Sequence, residues 1–206
     1  MNYQLHIFIL SYQTWYHSHF SLQYSVGLQG AIIINGPATA DYDEDLGSLM
    51  LQDWSHVSPF AMWWYTRVAS GPPSLANSLI NGTNVFYCTN SSGPACIGNG
   101  TRFETNFIPG RKYRIRLINS GLYSNFRFAI DGHNLMVIAN DLVPLVPYTT
   151  DNVRSWISRD IFSADCCRSS LAWVNVMILL WKQMPFPEIT GSGWVSFKST
   201  SSIIVY

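Results

Sequence analysis

His17 and His19 stand one residue apart in the stretch TWYHSHF, residues 14–20. In an extended strand, positions i and i+2 leave the same face with backbones ~6.6 Å apart, so two such imidazoles can serve one metal centre. In a helix they would diverge by ~200° around the axis, and shared chemistry would be lost. The aromatic, Thr-containing neighbourhood favours the strand. Neutral imidazole suits copper, zinc, iron or nickel, so the ligand type alone does not choose the metal. Two ligands are also too few, because a closed site takes about four and a catalytic one about three with an open position. Of the other histidines, His56 follows QDWS at a strand end and His133 lies in a turn, where each is expected as a surface or capping residue. A small zinc enzyme would need Asp131 or Asp141 to join the pair by coincidence. The plainer alternative is a strand in which both histidines are only structural.

The pair therefore needs strands to hold it, and the chain is rich in them up to about residue 150. AIIING (31–36), SLMLQDWS (48–55), YRIRLIN (113–119), FRFAID (126–131) and LMVIAN (135–140) are short, rich in β-branched and aromatic residues, and bounded by Gly, Pro or Asn. RIRL and FRFAI alternate apolar with polar, as half-buried strands do. DGHN between the last two runs is expected as a hairpin turn. FIPGRK reads as a second turn and SGPPS (70–74) as a loop. No long segment has convincing helical periodicity. The class is all-β, a sandwich. NGPATADYDEDLG (35–47) reads as a connector between two β units, of which the first is too short to be a sandwich by itself. From about residue 152 the strand spacing is lost, and an irregular tail is expected.

Twelve basic residues balance twelve acidic ones, so no global field draws in nucleic acid or an anionic membrane. The basic run RKYRIR alternates in strand fashion and is expected to form a solvated face. The apolar run LAWVNVMILLW (171–181) is short of the ~20 residues that span a bilayer. Three sequons, at Asn81, Asn90 and Asn99, crowd one polar, turn-rich stretch and read as glycosylated surface loop. Cys88 and Cys96 sit among them, and a bridge between them would stabilise by about 2.5 kcal/mol on the loop-entropy estimate. Cys166 and Cys167 are adjacent, and four cysteines leave the pairing open. These features favour the secretory route. MNYQLHIFIL, however, lacks a basic n-region and a small-residue cleavage site.

Longer stretches resemble a known family. TWYHSHFSLQYSVGLQGAIIINGPATADYDEDLG resembles the second copper-binding segment of fungal, ascomycete-type laccases, which are multicopper oxidases. The similarity continues through LMLQDWSH, GPPSLANSLINGTN, PGRKYRIRLINSG and FAIDGHNLMVIANDLVPLVPYTTD, and covers residues 12–151. It implies cupredoxin-like (plastocyanin-like) Greek-key sandwiches. Residues 1–40 look like the end of the first and 45–151 like most of the second, with 152–206 a divergent tail. It also implies one-electron oxidation of phenols or aromatic amines, coupled to reduction of dioxygen to water. His17 and His19 would ligate the paired type 3 coppers, with Trp15 and Tyr16 as packing neighbours. Gly71 and Pro72 resemble one wall of the phenol pocket. Tyr123 falls where many laccases place a carboxylate.

The family's other histidine segments, H-W-H-G, H-P-x-H-L-H-G-H and H-C-H-x-x-x-H, have no counterpart here, and neither Cys166 nor Cys167 has a histidine neighbour. The chain alone is therefore expected not to perform the family reaction. The resemblance stops abruptly after residue 151, as a misplaced exon boundary or reading frame would produce. The runner-up reading is a non-catalytic secreted glycoprotein.

Overall fold

The structure, a computed structural model, describes residues 12–68, 75, 77–89 and 96–155, together with the backbone of three later strands. β1 (Tyr12–His17) and β2 (Gln29–Ile34) form an antiparallel ribbon. β3 (Glu44–Trp54) is followed by β4 (Asn77–Ile80) and by a second, short ribbon of β5 (Val85–Phe86) and β6 (Asn99–Gly100). Then come β7 (Lys112–Asn119), β8 (Phe126–Ile130), β9 (Leu135–Asn140), β10 (Val143–Thr150) and β11 (Val153–Ser155). The later strands are β12 (Asn175–Trp181), β13 (Trp194–Ser196) and β14 (Ser202–Val205). Two sheets form the body: six strands in the order β10-β9-β12-β7-β3-β4, and four in the order β11-β8-β14-β13. Only the β3–β7 pair is parallel among the pairings described.

Burial follows the strand period. Phe126, Phe128 and Ile130 of β8 point inward while Arg127 between them is exposed. They meet Leu49 and Leu51 of β3, Ile115 and Leu117 of β7, and Leu135 and Val137 of β9 in one core between the sheets. Each such side chain contributes roughly 1.5–3 kcal/mol by leaving water.

Four expectations are corrected. The first is the solvated basic face: Arg111 is exposed, but the side chains of Arg114 and Arg116 are 4% and 1% exposed. β7 has strands on both sides, and the connector crosses the outer face of its sheet, over β9 as well as β7. Ala38, Ala40 and Tyr42 pack against Ile138 and Ala139 there, and the Thr39 hydroxyl donates to the Ile138 carbonyl at 2.9 Å. Both guanidinium groups donate to Asp45, and Arg114 lies 4.2 Å over the Tyr42 ring. The second is the Asp131–Gly132 turn, which joins β8 to β9 across the two sheets and is no hairpin. Of its two central residues only Gly132 has positive φ, at 66°, whereas the type I′ hairpin turn needs both.

The third is the absence of helix. α1 (Pro59–Val68) follows β3, opened by Ser58, whose carbonyl accepts from the N–H of Ala61 and Met62, and by Pro59 in the first turn. No helix among the described residues is long and apolar enough to cross a membrane. The fourth is the irregular tail: the apolar run near residue 175 becomes β12, a central strand between β7 and β9. Periodicity alone cannot tell a short continuous apolar run in a strand from one in a helix.

Candidate metal centre

Bulky β-formers make β1 and β2 strands, and their register runs from Tyr12↔Ile34 to His17↔Gln29. Opposite Tyr16 the partner is Gly30, where an added Cβ would come within 2.5–2.7 Å of the Tyr16 ring. A glycine there lets the Tyr16 ring lie across the neighbouring strand. Pairing continues one step past the strand, with Ser18 N–H donating to Leu28 O at 2.9 Å. The Ser18 hydroxyl donates to Gln23 Oε1, which fastens the loop to the 3-10 turn Gln23–Val26. Gln13, buried in β1, donates through Nε2 to the Leu117 carbonyl at 2.9 Å and ties the ribbon to β7.

His17 closes β1, and His19 follows two residues on, just past the strand end. Their ring centroids are 5.9 Å apart with planes tilted by 32°, and both rings are exposed. Trp15, two residues back on the same face, stacks on His17 at 4.5 Å. Tyr24 meets both of these rings edge-on, at 6.5 Å from Trp15 and 5.4 Å from His17. His17 Nδ1 lies 3.0 Å from the Ser18 carbonyl oxygen, which can only accept, so this contact favours the tautomer protonated at Nδ1. The Nε2 lone pair is then free, as a ligand through that nitrogen requires. Two imidazoles sharing one ion have ring centres up to ~6.4 Å apart, given metal–nitrogen bonds near ~2.0 Å. The observed spacing therefore fits two ligands of one ion or of two adjacent ions.

Among the described residues, no group of three or more His, Cys, Asp or Glu completes a site. His56 is exposed and stacks on Phe86 at 3.8 Å. His133 is buried, which rules out the surface alternative of its expected placement, and its Nδ1 lies 2.6 Å from the Asp131 carbonyl oxygen inside the turn. Among the described residues, Asp131 and Asp141 join no metal-holding group.

Sequence reasoning missed Asp53. This buried carboxylate of β3 accepts from the backbone N–H of Leu122 at 2.6 Å, Tyr123 at 2.8 Å and Ser124 at 2.6 Å. It thereby fixes the turn that follows β7. Asn119 braces the same turn, accepting from Gly121 N–H at 2.9 Å and donating to Ser155 O at 3.0 Å. Burial raises the Tyr24 phenol above its ordinary value, and the negative charge of Asp53 adds to that. The available signal was an aspartate inside an apolar strand, which must find donors when buried.

Tyr123, held through its N–H, is 42% exposed. Gly71, Pro72, Asn90, Cys166 and Cys167 lie outside the described residues. Asn81 and Asn99 are exposed; the Asn81 carboxamide accepts from Met50 N–H at 2.8 Å and donates to Ser48 O at 3.1 Å. Cys88 and Cys96 are joined by a disulfide with Cα atoms 5.9 Å apart.

A family model described as multicopper oxidase matches residues 45–154. Oxidoreductase OpS5 of Beauveria bassiana is 74% identical over 140 residues, which are 68% of this chain and 24% of that protein. Laccase-2 of Botryotinia fuckeliana is 61% identical over the same shares of each chain. The crystal structure of a laccase from Botrytis aclada superposes with a TM-score of 0.71 at 51% identity, covering 83% of this chain and 29% of that one. The chain thus spans about a quarter of the length of the curated relatives it matches. The two-sheet body is accordingly a cupredoxin-like sandwich. With the family's model spanning more than half its length and a relative 74% identical over 68% of it, the chain belongs to the multicopper oxidases.

Proposed function

We propose that this chain supplies His17 and His19 to the paired type 3 coppers of a laccase-type oxidase. Copper is the family's metal, and bound there it would support one-electron oxidation of phenols coupled to reduction of dioxygen to water. The observation that carries the reading is the pair itself: two exposed imidazoles 5.9 Å apart at the end of an extended strand. Trp15 and Tyr24 hold the His17 ring from its face and edge, and the Ser18 carbonyl beside Nδ1 leaves Nε2 as the nitrogen that faces away for a ligand role. On this reading residues 1–40 close a first sandwich, 45–151 form most of a second, and the remaining copper ligands come from elsewhere in the oxidase. Gly71, Pro72 and Tyr123 would border the phenol, with Asp53 positioning Tyr123 through its backbone. The sequons and the Cys88–Cys96 bridge support export and glycosylation at Asn81, Asn90 and Asn99.

The test is copper uptake by the intact chain, read by metal analysis after dialysis and by the electron paramagnetic signal of the cupric form. Wild type should retain copper. His17→Ala or His19→Ala should weaken retention by at least the roughly 10- to 100-fold that loss of an outer partner costs at metal sites. Equal uptake by wild type and the double variant would sink the assignment.

A further inference from the structure

The dipeptide Asn-Gly occurs three times in the chain, at 35–36, 81–82 and 99–100. In such a pair the backbone nitrogen of the glycine can attack the asparagine Cγ and close a five-membered imide. Without a Cβ on the glycine, nothing crowds that approach. The three pairs are alike in sequence, but the fold treats each of them differently.

Asn81 is clasped. Its Oδ1 accepts from Met50 N–H at 2.8 Å, its Nδ2 donates to Ser48 O at 3.1 Å, and its own N–H donates to Met50 O at 2.9 Å. Ring closure there must first strip the carboxamide from β3. Asn99 has an exposed carboxamide with no partner among the described residues, but the nucleophile beside it is held. Gly100 N–H donates to Gly98 O at 3.1 Å, and Gly100, paired with Val85, packs so closely on Asn84 O that no Cβ would fit. Asn35 has neither restraint. It lies exposed just past β2, in neither strand nor turn. Neither its carboxamide nor the Gly36 N–H makes a hydrogen bond among the described residues. The chain is fixed on either side, at Ile34 by its pairing with Tyr12 and at Thr39 by its bond to Ile138 O. Asn35 is also no sequon, since Pro37 stands where Ser or Thr would have to be, so no glycan would block its Nδ2.

We propose that Asn35–Gly36 is a site of spontaneous deamidation, where the chain acquires an isoaspartyl linkage between the histidine ribbon and the sandwich. The Gly36 nitrogen gives up its proton and bonds to Asn35 Cγ. The Cγ–Nδ2 bond breaks, and ammonia leaves with that proton. Water then opens the imide at either carbonyl, giving aspartate or isoaspartate with no change of oxidation state. Either product adds a negative charge, and isoaspartate also lengthens the backbone by a methylene between two fixed points. The site takes water as its only co-reactant and stands independently of the copper assignment.

The experiment incubates the intact chain, made in a host that adds no glycans, in mildly alkaline water enriched in heavy oxygen. Mass spectrometry follows label entering the peptide that spans each pair, and fragmentation separates aspartate from isoaspartate. Label should enter at Asn35 first. Asn81 should be about tenfold slower, which is about 1.4 kcal/mol of barrier for the carboxamide bonds it must give up. Asn99 should fall between them. In concentrated urea the three rates should converge, because the fold no longer distinguishes them. Gly36→Ala, which the backbone accepts because φ there is not positive, should slow labelling at Asn35 and leave the unfolding midpoint unchanged. Equal rates at the three pairs in the folded chain, or a rate at Asn35 below either of the others, would overturn the proposal. So would an order that persists unchanged in urea, which would trace the preference to sequence and not to the clasp and the held glycine.

Discussion

Replacing Asp45 by alanine is expected to destabilise the sandwich by about 3 kcal/mol, the low end for removing one partner of a buried charge pair, because the Arg114 and Arg116 side chains are buried while Asp45 keeps 28% of its side chain in water. That is a large part of the roughly 5–15 kcal/mol that holds a domain folded. Asp45 receives both Arg114 and Arg116, and Arg116 already keeps Nε and Nη2 without a partner among the described residues. Without the carboxylate, two guanidinium charges would lie against the sheet under the connector. Asp45→Asn keeps one accepting oxygen and should fall between wild type and alanine. Urea unfolding midpoints check the order. Acid should reveal the same carboxylate. Burial pushes the Asp45 carboxyl upward, but hydrogen bonds from Arg116, Arg114 and the Gly47 N–H, with the charge of Arg116, outweigh it and hold the group below its ordinary value. A folded value below the unfolded one means stability that is present above the unfolded pKa and lost as pH falls through the folded one. Wild type should therefore lose more stability than Asp45→Asn between about pH 5 and about pH 2. Parallel losses would mean that another carboxylate governs acid unfolding.

The same arginines show what the sequence made legible. Alternation in RIRL placed Arg114 and Arg116 together on one face of a strand, and they are there. Nothing local to that strand says what covers the face, and the cover comes from a connector some seventy residues earlier. All five runs read as strands between residues 31 and 140 are strands, because Gly, Pro and Asn punctuate them and β-branched residues fill them. α1 was hidden for a different reason. Its apolar residues Phe60, Trp63, Trp64 and Val68 recur at helical spacing, but they face solvent while only Pro59 is buried. Three consecutive aromatics also carry strand propensity. The Ser58-Pro59 start was the usable signal, since proline in the first helical turn loses no hydrogen bond. Of the candidate site, the histidine pair was readable because an i, i+2 spacing has only one productive backbone. Asp53 was not, because its three donors come from a turn some seventy residues later.

Asp53 is the second place where one carboxylate holds much together. Asp53→Ala is expected to cost about 2–4 kcal/mol, since it strands three partly buried N–H groups, each worth roughly 1–3 kcal/mol when fully unpaired. Water entering the turn keeps the total below the sum. The damage should be local in a way that Asp45→Ala is not. Amide exchange at Leu122, Tyr123 and Ser124 should accelerate well beyond that of Phe128 or Val137 in the core. The Tyr24 phenol should titrate lower once the neighbouring negative charge is gone, though burial will still hold it above the ordinary tyrosine value. Asp53→Asn should restore only part of the turn, because a carboxamide presents one accepting oxygen where the carboxylate uses both, and its NH2 would face an N–H. Exchange at the three amides unchanged from wild type would mean that Asn119 and the turn's own backbone suffice, and that Asp53 has no hold on the placement of Tyr123.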